Sequence, residues 1–231
     1  MKKLKIYCDF DGTITTTDNI ISLMKQFAPP EWISIKDDIL AQKTSIKEGV
    51  GEMFRLLPSS SRAKLIDYLL DTHQLRTGFI DFIEWSNQNN IDLKIVSGGI
   101  DFFVEPILEG IVPNEKIFCN SSDFSGDTIR ITWPYSCDEH CSNECGCCKT
   151  SIIRNDSEKG DYIIVIGDSI TDLEGAKMAD LVLACDDFLA GKCEELGLNY
   201  LSFETFDEVI SILKEINREA GTYGKLPCEV E

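Results

Sequence analysis

Four short runs of mostly apolar residues, each emptying into a polar or glycine-containing segment, organise the chain. They are Leu4 to Cys8 before Asp9-Phe10-Asp11-Gly12-Thr13, Leu93 to Val96 before Ser97-Gly98-Gly99, Tyr162 to Ile166 before Gly167-Asp168-Ser169, and Leu181 to Ala184 before Cys185-Asp186-Asp187. Runs this short, without alternation, fit strands buried on both faces. Helical patterns such as Phe79 to Trp85 and Asp207 to Ile216 lie between and after them. The expected fold class is α/β with a doubly wound parallel sheet, in which ligands bind where the carboxyl ends of strands meet their loops.

One long tract, from about Asn19 to Leu70, contributes no strand. Pro29-Pro30 closes its first helix, Ser45-Ile46-Lys47-Glu48 is a capping-box pattern opening another, and Pro58 with Ser59 to Ser61 opens the last. Apolar residues recur there at helical spacing, as in Ile46, Val50, Met53, Phe54 and Leu57. The pattern predicts an inserted helical cap over residues 17–76, with a catalytic α/β core made of 1–16 and 77–231. Ile117 to Trp133 reads as a hairpin around Ser125-Gly126-Asp127, followed by a cysteine-rich loop over 134–149. Beyond Ala220 the glycines, proline and acidic residues predict a frayed tail.

Charge narrows the range of partners. Against 22 basic residues stand 40 acidic ones, and the net charge of −18 repels nucleic acid and anionic membrane surfaces. A phosphate ester remains admissible, because exposed charges are screened over about 8 Å and a local cation can hold it. The longest apolar runs are too short to span a bilayer. The apolar stretch after the first lysines ends at Asp9, too early for a signal peptide, so the chain is expected in the cytoplasm with its ten cysteines reduced.

The residues with chemical potential sit at the strand ends. Asp9 and Asp11, two apart in a bent loop, can face one centre, one attacking and the other handling a proton; their hard oxygens suit magnesium. Alone, such a pair is equally a loop solvating its own backbone. Ser97-Gly98 offers a hydroxyl and unobstructed N–H groups to an anion, although Ser-Gly-Gly is ordinarily just a turn. Lys149 opens a helix running through Ile153, where an ammonium beside helix N–H groups makes a phosphate clamp. Asp168 and Asp172 add two carboxylates after a third buried strand.

In this order, each at a strand end, the segments resemble the haloacid dehalogenase-type phosphatases, along essentially the whole chain and with the helical cap of the phosphoserine phosphatase branch. The resemblance implies a phosphoric monoester hydrolase with Asp9 as nucleophile and Asp11 as general acid, then base. It implies magnesium on Asp9, Asp168 and the backbone carbonyl of Asp11. Ser97, Gly98 and Lys149 would bind phosphoryl oxygens, with Asp172 supporting Lys149 and the metal's waters. Longer words, among them Phe27-Ala28-Pro29-Pro30-Glu31-Trp32, Leu56-Leu57-Pro58-Ser59-Ser60 and Cys145-Gly146-Cys147-Cys148-Lys149, are similar to bacterial phosphatases of methionine salvage. That likeness implies a small phosphorylated metabolite with a methylthio tail; Met24, Phe27, Trp32, Met53 and Phe54 are candidates to line its apolar end, although cap core is the better reading of most of them.

Two alternatives stay open. A phosphoserine-type phosphatase would need a cation for the substrate carboxylate, for which Lys47 or Arg55 could serve. From another class, a metal-binding or regulatory module could be built on Cys137, Cys141, Cys145, Cys147 and Cys148, with His140 among them. Their spacing, taken over all five, lacks the paired Cys-x2-Cys knuckles of structural zinc, so a zinc ion, a reduced loop and a disulfide remain in contention. Oligomeric state is not encoded in any of these patterns.

Overall fold

The computed structural model describes residues 3–223. A seven-stranded sheet runs through the molecule in the order β4-β3-β2-β1-β5-β6-β7. The strands are β1 (Leu4–Cys8), β2 (Asp92–Ile100), β3 (Ile117–Asp123), β4 (Arg130–Thr132), β5 (Tyr162–Gly167), β6 (Leu181–Ala184) and β7 (Tyr200–Ser202). All neighbours pair in parallel except β3 and β4, which form the antiparallel hairpin expected from the turn sequence. In addition β3 pairs with β2, so the hairpin extends the main sheet.

Both faces of the sheet are covered, and the alternation of side chains shows how. Ile6, Ile95, Ile164 and Ile166 point into one core with the helices α5 (Phe79–Gln88) and α10 (Phe206–Tyr223). Tyr7, Val96 and Val165 point the other way, against Ile152 and Ile153 of helix α7 (Lys149–Asp156). On the first face the Phe206 ring lies 5.2 Å from Phe79 and 5.1 Å from Phe82. All three rings are fully or almost fully buried, so truncating one to alanine should cost about 3–5 kcal/mol.

Four helices fill the interval between β1 and α5: α1 (Asn19–Phe27), α2 (Trp32–Leu40), α3 (Ile46–Arg55) and α4 (Arg62–Thr72). Asp18 caps α1 by accepting from Ile21 N, and Ser45 caps α3 by accepting from Glu48 N at 3.1 Å. Leu23, Met24, Met53, Phe54, Leu65 and Leu69 join the same core cluster as the sheet. Met24, Met53 and Phe54 are at most 2% exposed and pack as cap core in this conformation.

The remaining helices are α6 (Asp101–Leu108), α8 (Leu173–Ala176) and α9 (Asp187–Leu196). Strand β2 runs four residues beyond the predicted end, and its pairing to β3 shifts register between Val96 and Ile100, which places Ser97-Gly98-Gly99 in an irregular stretch. Helix α10 continues through Tyr223, so the predicted fraying does not begin at Ala220; the rest of that tail lies outside the described residues. Among the described residues, no helix is long and apolar enough to cross a membrane.

At the amino-terminal ends of the central strands, Lys5 Nζ contacts Asp92 at 2.8 Å and Asp156 at 2.9 Å, while Lys94 contacts the same two at 2.7 and 2.8 Å. Tyr7 donates its hydroxyl to Asp156. This network satisfies a buried ammonium at the end of β1 opposite Asp9, and gives the acidic chain an internally balanced patch.

Candidate active site

Asp9 follows β1 in the middle of the sheet, its N–H donating to Ile166 O at 2.8 Å, so the carboxylate is carried where two buried strands end. It is 5% exposed. Lys149, the first residue of α7, reaches it with an Nζ–Oδ1 distance of 2.7 Å and also pairs with Asp172 Oδ1. The other Asp172 oxygen accepts from the N–H groups of Asp168 and Ser169 at 3.1 and 3.0 Å, which fixes that fully buried carboxylate.

Carboxylate oxygens of Asp9, Asp168 and Asp172 lie within 4.8 Å of one another. Three carboxylates around one ammonium leave a net negative charge in a desolvated site, and the titration behaviour reflects it. Burial and then the Asp172 charge push the Asp9 carboxyl well above the usual carboxylate range, against Lys149. Burial and Asp172 likewise push Asp168 up to about 6. For Lys149, burial opposes the charge, but Asp172 and Asp9 outweigh it and the ammonium is held above its ordinary value. A hard divalent cation is what such an oxygen set lacks.

Asp11 is placed differently. Its Oδ1 accepts from Asn19 N at 2.9 Å and Asn19 Nδ2 at 2.7 Å, and its carboxylate does not join the group of three. Burial first and the nearby Asp18 second push it up to about 7, although the two Asn19 donors favour the ionised form. Ser97 Oγ accepts from Gly99 N at 2.8 Å. A Cβ on Gly99 would lie 2.8 Å from Asp11 Oδ2 and 2.9 Å from Ser97 Oγ, so those two groups border one position. Gly98 has open space around it, while its carbonyl accepts from Asn120 Nδ2 at 2.8 Å.

Further residues hold these groups in place. Arg76, which follows α4, donates through Nε to Thr13 O at 2.7 Å and through a terminal nitrogen to Gly12 O at 2.6 Å, clamping the Asp9–Thr13 loop from a distance of more than sixty residues. Thr13 donates its hydroxyl to Asp168 Oδ1 at 2.8 Å.

Two glycines are forced by close approach. Gly12 has φ +80°, and a Cβ there would sit 2.4 Å from Asp168 Oδ2. At Gly167 a Cβ would sit 2.3 Å from Asp172 Cγ. Gly167→Ala should therefore displace Asp172 from Lys149, lowering stability by about 1–3 kcal/mol and kcat together; denaturant unfolding and steady-state rates check both. Wild-type values in both would show that this close approach can relax harmlessly.

The cysteine-rich loop divides its five thiols. Sulfurs of Cys137, Cys141, Cys145 and Cys148 lie within 4.8 Å of one another. Cys147 corrects the five-residue grouping: its thiol donates toward Phe118 O at 3.5 Å and packs with Tyr7, Val96, Ile152, Ile153 and Val165. A separate open groove of about 680 Å³ is bordered by Arg62, Ile66, Asp101, Phe102 and Glu105, and is not lined by Asp9, Asp11, Ser97, Lys149, Asp168 or Asp172.

Comparison with known proteins places this geometry in context. The family model described as haloacid dehalogenase-like hydrolase matches residues 6–177. A Geobacillus kaustophilus protein named 2-hydroxy-3-keto-5-methylthiopentenyl-1-phosphate phosphatase is 58% identical, with 93% of this chain and 97% of that one covered. A Brevibacillus brevis protein of the same name is 53% identical, with 94% and 98% covered. Among solved structures, a substrate-bound phosphoserine phosphatase superposes with a TM-score of 0.68 at 17% identity, covering 92% of this chain and 99% of that one. A structure described as a phospho-aspartyl intermediate analogue of phosphoserine phosphatase gives 0.65 at 19% identity, with the same coverage. At those identities the structural likeness speaks for the fold.

Proposed function

We propose that this chain, which belongs to the haloacid dehalogenase-like hydrolase family, is a phosphatase that hydrolyses 2-hydroxy-3-keto-5-methylthiopentenyl-1-phosphate in methionine salvage. The products are inorganic phosphate and the acireductone 1,2-dihydroxy-3-keto-5-methylthiopentene. Identity of 50–58% over more than nine-tenths of the chain to proteins of that name supports the substrate. The observation that carries the chemistry is the meeting of Asp9, Asp168, Asp172 and Lys149 in one buried site.

In this reading an Asp9 oxygen attacks phosphorus and the bond to the enol oxygen breaks. Asp11, pushed up to about 7, gives its proton to that departing oxygen. Asp11 then takes a proton from water, which attacks phosphorus, frees Asp9 and completes phosphate release. Lys149, the Ser97 hydroxyl and the Gly98 N–H hold phosphoryl oxygens, and Asp172 keeps Lys149 aimed. The family's phosphatases generally use magnesium, and the residues present fit it. Asp9 and Asp168, with the Asp11 carbonyl, would hold the ion, which supplies positive charge against the repulsion between carboxylate and phosphate. The helices α1–α4 act as a cap over the site and carry selectivity. With the strand-end groups assembled, the cysteine cluster is an accessory of the enzyme and not a substitute for it.

The test is a comparison of specificity constants. The methylthio enol phosphate, generated fresh, should exceed a shortened enol phosphate lacking the sulfur end by about 10- to 200-fold, the range available to modest apolar contacts. It should also exceed O-phosphoserine. Parity with the shortened compound, or a preference for phosphoserine, removes the substrate assignment while leaving the phosphatase chemistry standing.

A further inference from the structure

The loop between β4 and α7 gathers four sulfurs into a cage. Cys137, Cys141, Cys145 and Cys148 all have Sγ atoms within 4.8 Å of one another, with Cys141 and Cys145 at 4.0 Å, and none forms a disulfide. A tetrahedral ion bonded to sulfur at about 2.3 Å has edges of about 3.8 Å, close to this separation. Once Cys147 is set aside, the spacing becomes x3, x3 and x2, inside the range of structural zinc loops, and Cys145-Gly146-Cys147-Cys148 is itself a Cys-x2-Cys pair. Counting all five thiols hides that knuckle. Gly146 reverses the chain within it at φ +80°, and a Cβ there would lie 2.9 Å from the Trp133 ring.

The surroundings are built to hold sulfur as thiolate. Cys148 lies at the amino-terminal end of α7, Ser151 donates its hydroxyl to Cys148 Sγ at 3.1 Å, and the Thr150 hydroxyl lies at 3.2 Å. Ser151 Oγ also accepts from Asp138 N at 2.9 Å, and Arg154 grips Asp138 through two bonds of 2.9 and 2.7 Å. Lys47 N donates to Glu144 O at 3.2 Å, tying the loop to α3. Such outer contacts orient ligands in metal sites.

We propose that Cys137, Cys141, Cys145 and Cys148 bind one zinc ion as a closed, four-thiolate structural site, separate from the oxygen-lined site at Asp9. Four thiolate ligands select against magnesium and calcium, and a filled shell leaves no position for substrate. His140 is not a ligand: its side chain is 64% exposed and faces Glu139. The ion pins Cys148, the residue immediately before Lys149, and so braces the start of α7.

The full chain, purified without chelator under reducing conditions, should carry about one zinc per molecule by mass-spectrometric metal analysis. Cys141→Ser and Cys145→Ser should each lose it, and Cys147→Ser should keep it. Replacing zinc by cobalt in the wild-type protein should give thiolate-to-cobalt charge-transfer bands and the ligand-field bands of a tetrahedral ion, a readout available even if the serine variants do not fold. A reduced wild-type protein with no zinc and no such cobalt spectrum overturns the site. Equal metal loss from Cys147→Ser overturns the ligand set, and bound iron overturns the identity of the ion. All these readouts are metal content or spectra, so they are independent of the substrate assignment.

Discussion

Asp9→Asn should lower turnover by about ten-thousandfold or more, the scale seen when an enzyme's nucleophile is removed, and should leave the fold intact. The change keeps the volume of the side chain and deletes the attacking oxyanion. Its effect on stability has a defined sign. Burial and then Asp172 raise the Asp9 pKa in the folded protein. The ionised group therefore works against folding, a penalty absent while both states are protonated and full above the folded-state value. Asparagine carries no such penalty, although it leaves Lys149 with Asp172 as its remaining ionic partner. The melting temperature should hold or rise. In the wild-type enzyme, acid quench during turnover should capture phosphate on the peptide containing Asp9, released by hydroxylamine as an acyl phosphate would be. Appreciable steady-state activity in pure Asp9→Asn protein, with deamidation excluded by mass spectrometry, would sink the covalent route.

The parts of this structure that sequence pattern reveals are those governed by local chemistry. Leu4–Cys8, Tyr162–Gly167 and Leu181–Ala184 are legible as strands because helices cover the sheet on both sides, leaving continuous apolar runs with no polar face. Asp9, Asp11 and Asp168 are legible as candidates because they sit in loops directly after such runs, and Lys149 because it opens a helix. Strand β7 is not legible: Tyr200-Leu201-Ser202 is a short sheet edge, partly exposed, with no pattern of its own. Nor is Arg76, whose work depends on partners more than sixty residues away. Cys147 and Cys148 show the same limit at the shortest range. They are adjacent in sequence, yet one enters an apolar cluster and the other the sulfur cage, because the turn into α7 sends consecutive side chains in opposite directions.

Asp11 should prove separable from Asp9 by the leaving group. In the proposed mechanism Asp9 is the nucleophile and Asp11 the acid: Lys149 favours the ionised Asp9 against burial and Asp172, whereas Asp11 faces Asn19 with Asp18 nearby and is pushed up to about 7. An acid with a pKa of about 7 must be protonated in the free enzyme to serve the enol phosphate. The specificity constant should therefore fall as pH rises through about 7. Asp11→Asn should abolish that limb and lower kcat on the enol phosphate by about 10²- to 10⁴-fold. With p-nitrophenyl phosphate, whose phenolate departs without a proton, the first step should survive. The variant should then release a burst of about one nitrophenolate per active site and stall as phosphoenzyme, since the base for the second step is missing. Asn19→Ala tests the cause of the tuning. Its side chain donates to the Asp11 carboxylate at 2.7 Å and favours the charged form, so its loss should move the alkaline limb to higher pH. A limb that stays in place in Asn19→Ala, or persists in Asp11→Asn, would assign the titration to another group. Absence of a burst in Asp11→Asn would mean that the carboxylate is needed before the phosphoenzyme forms.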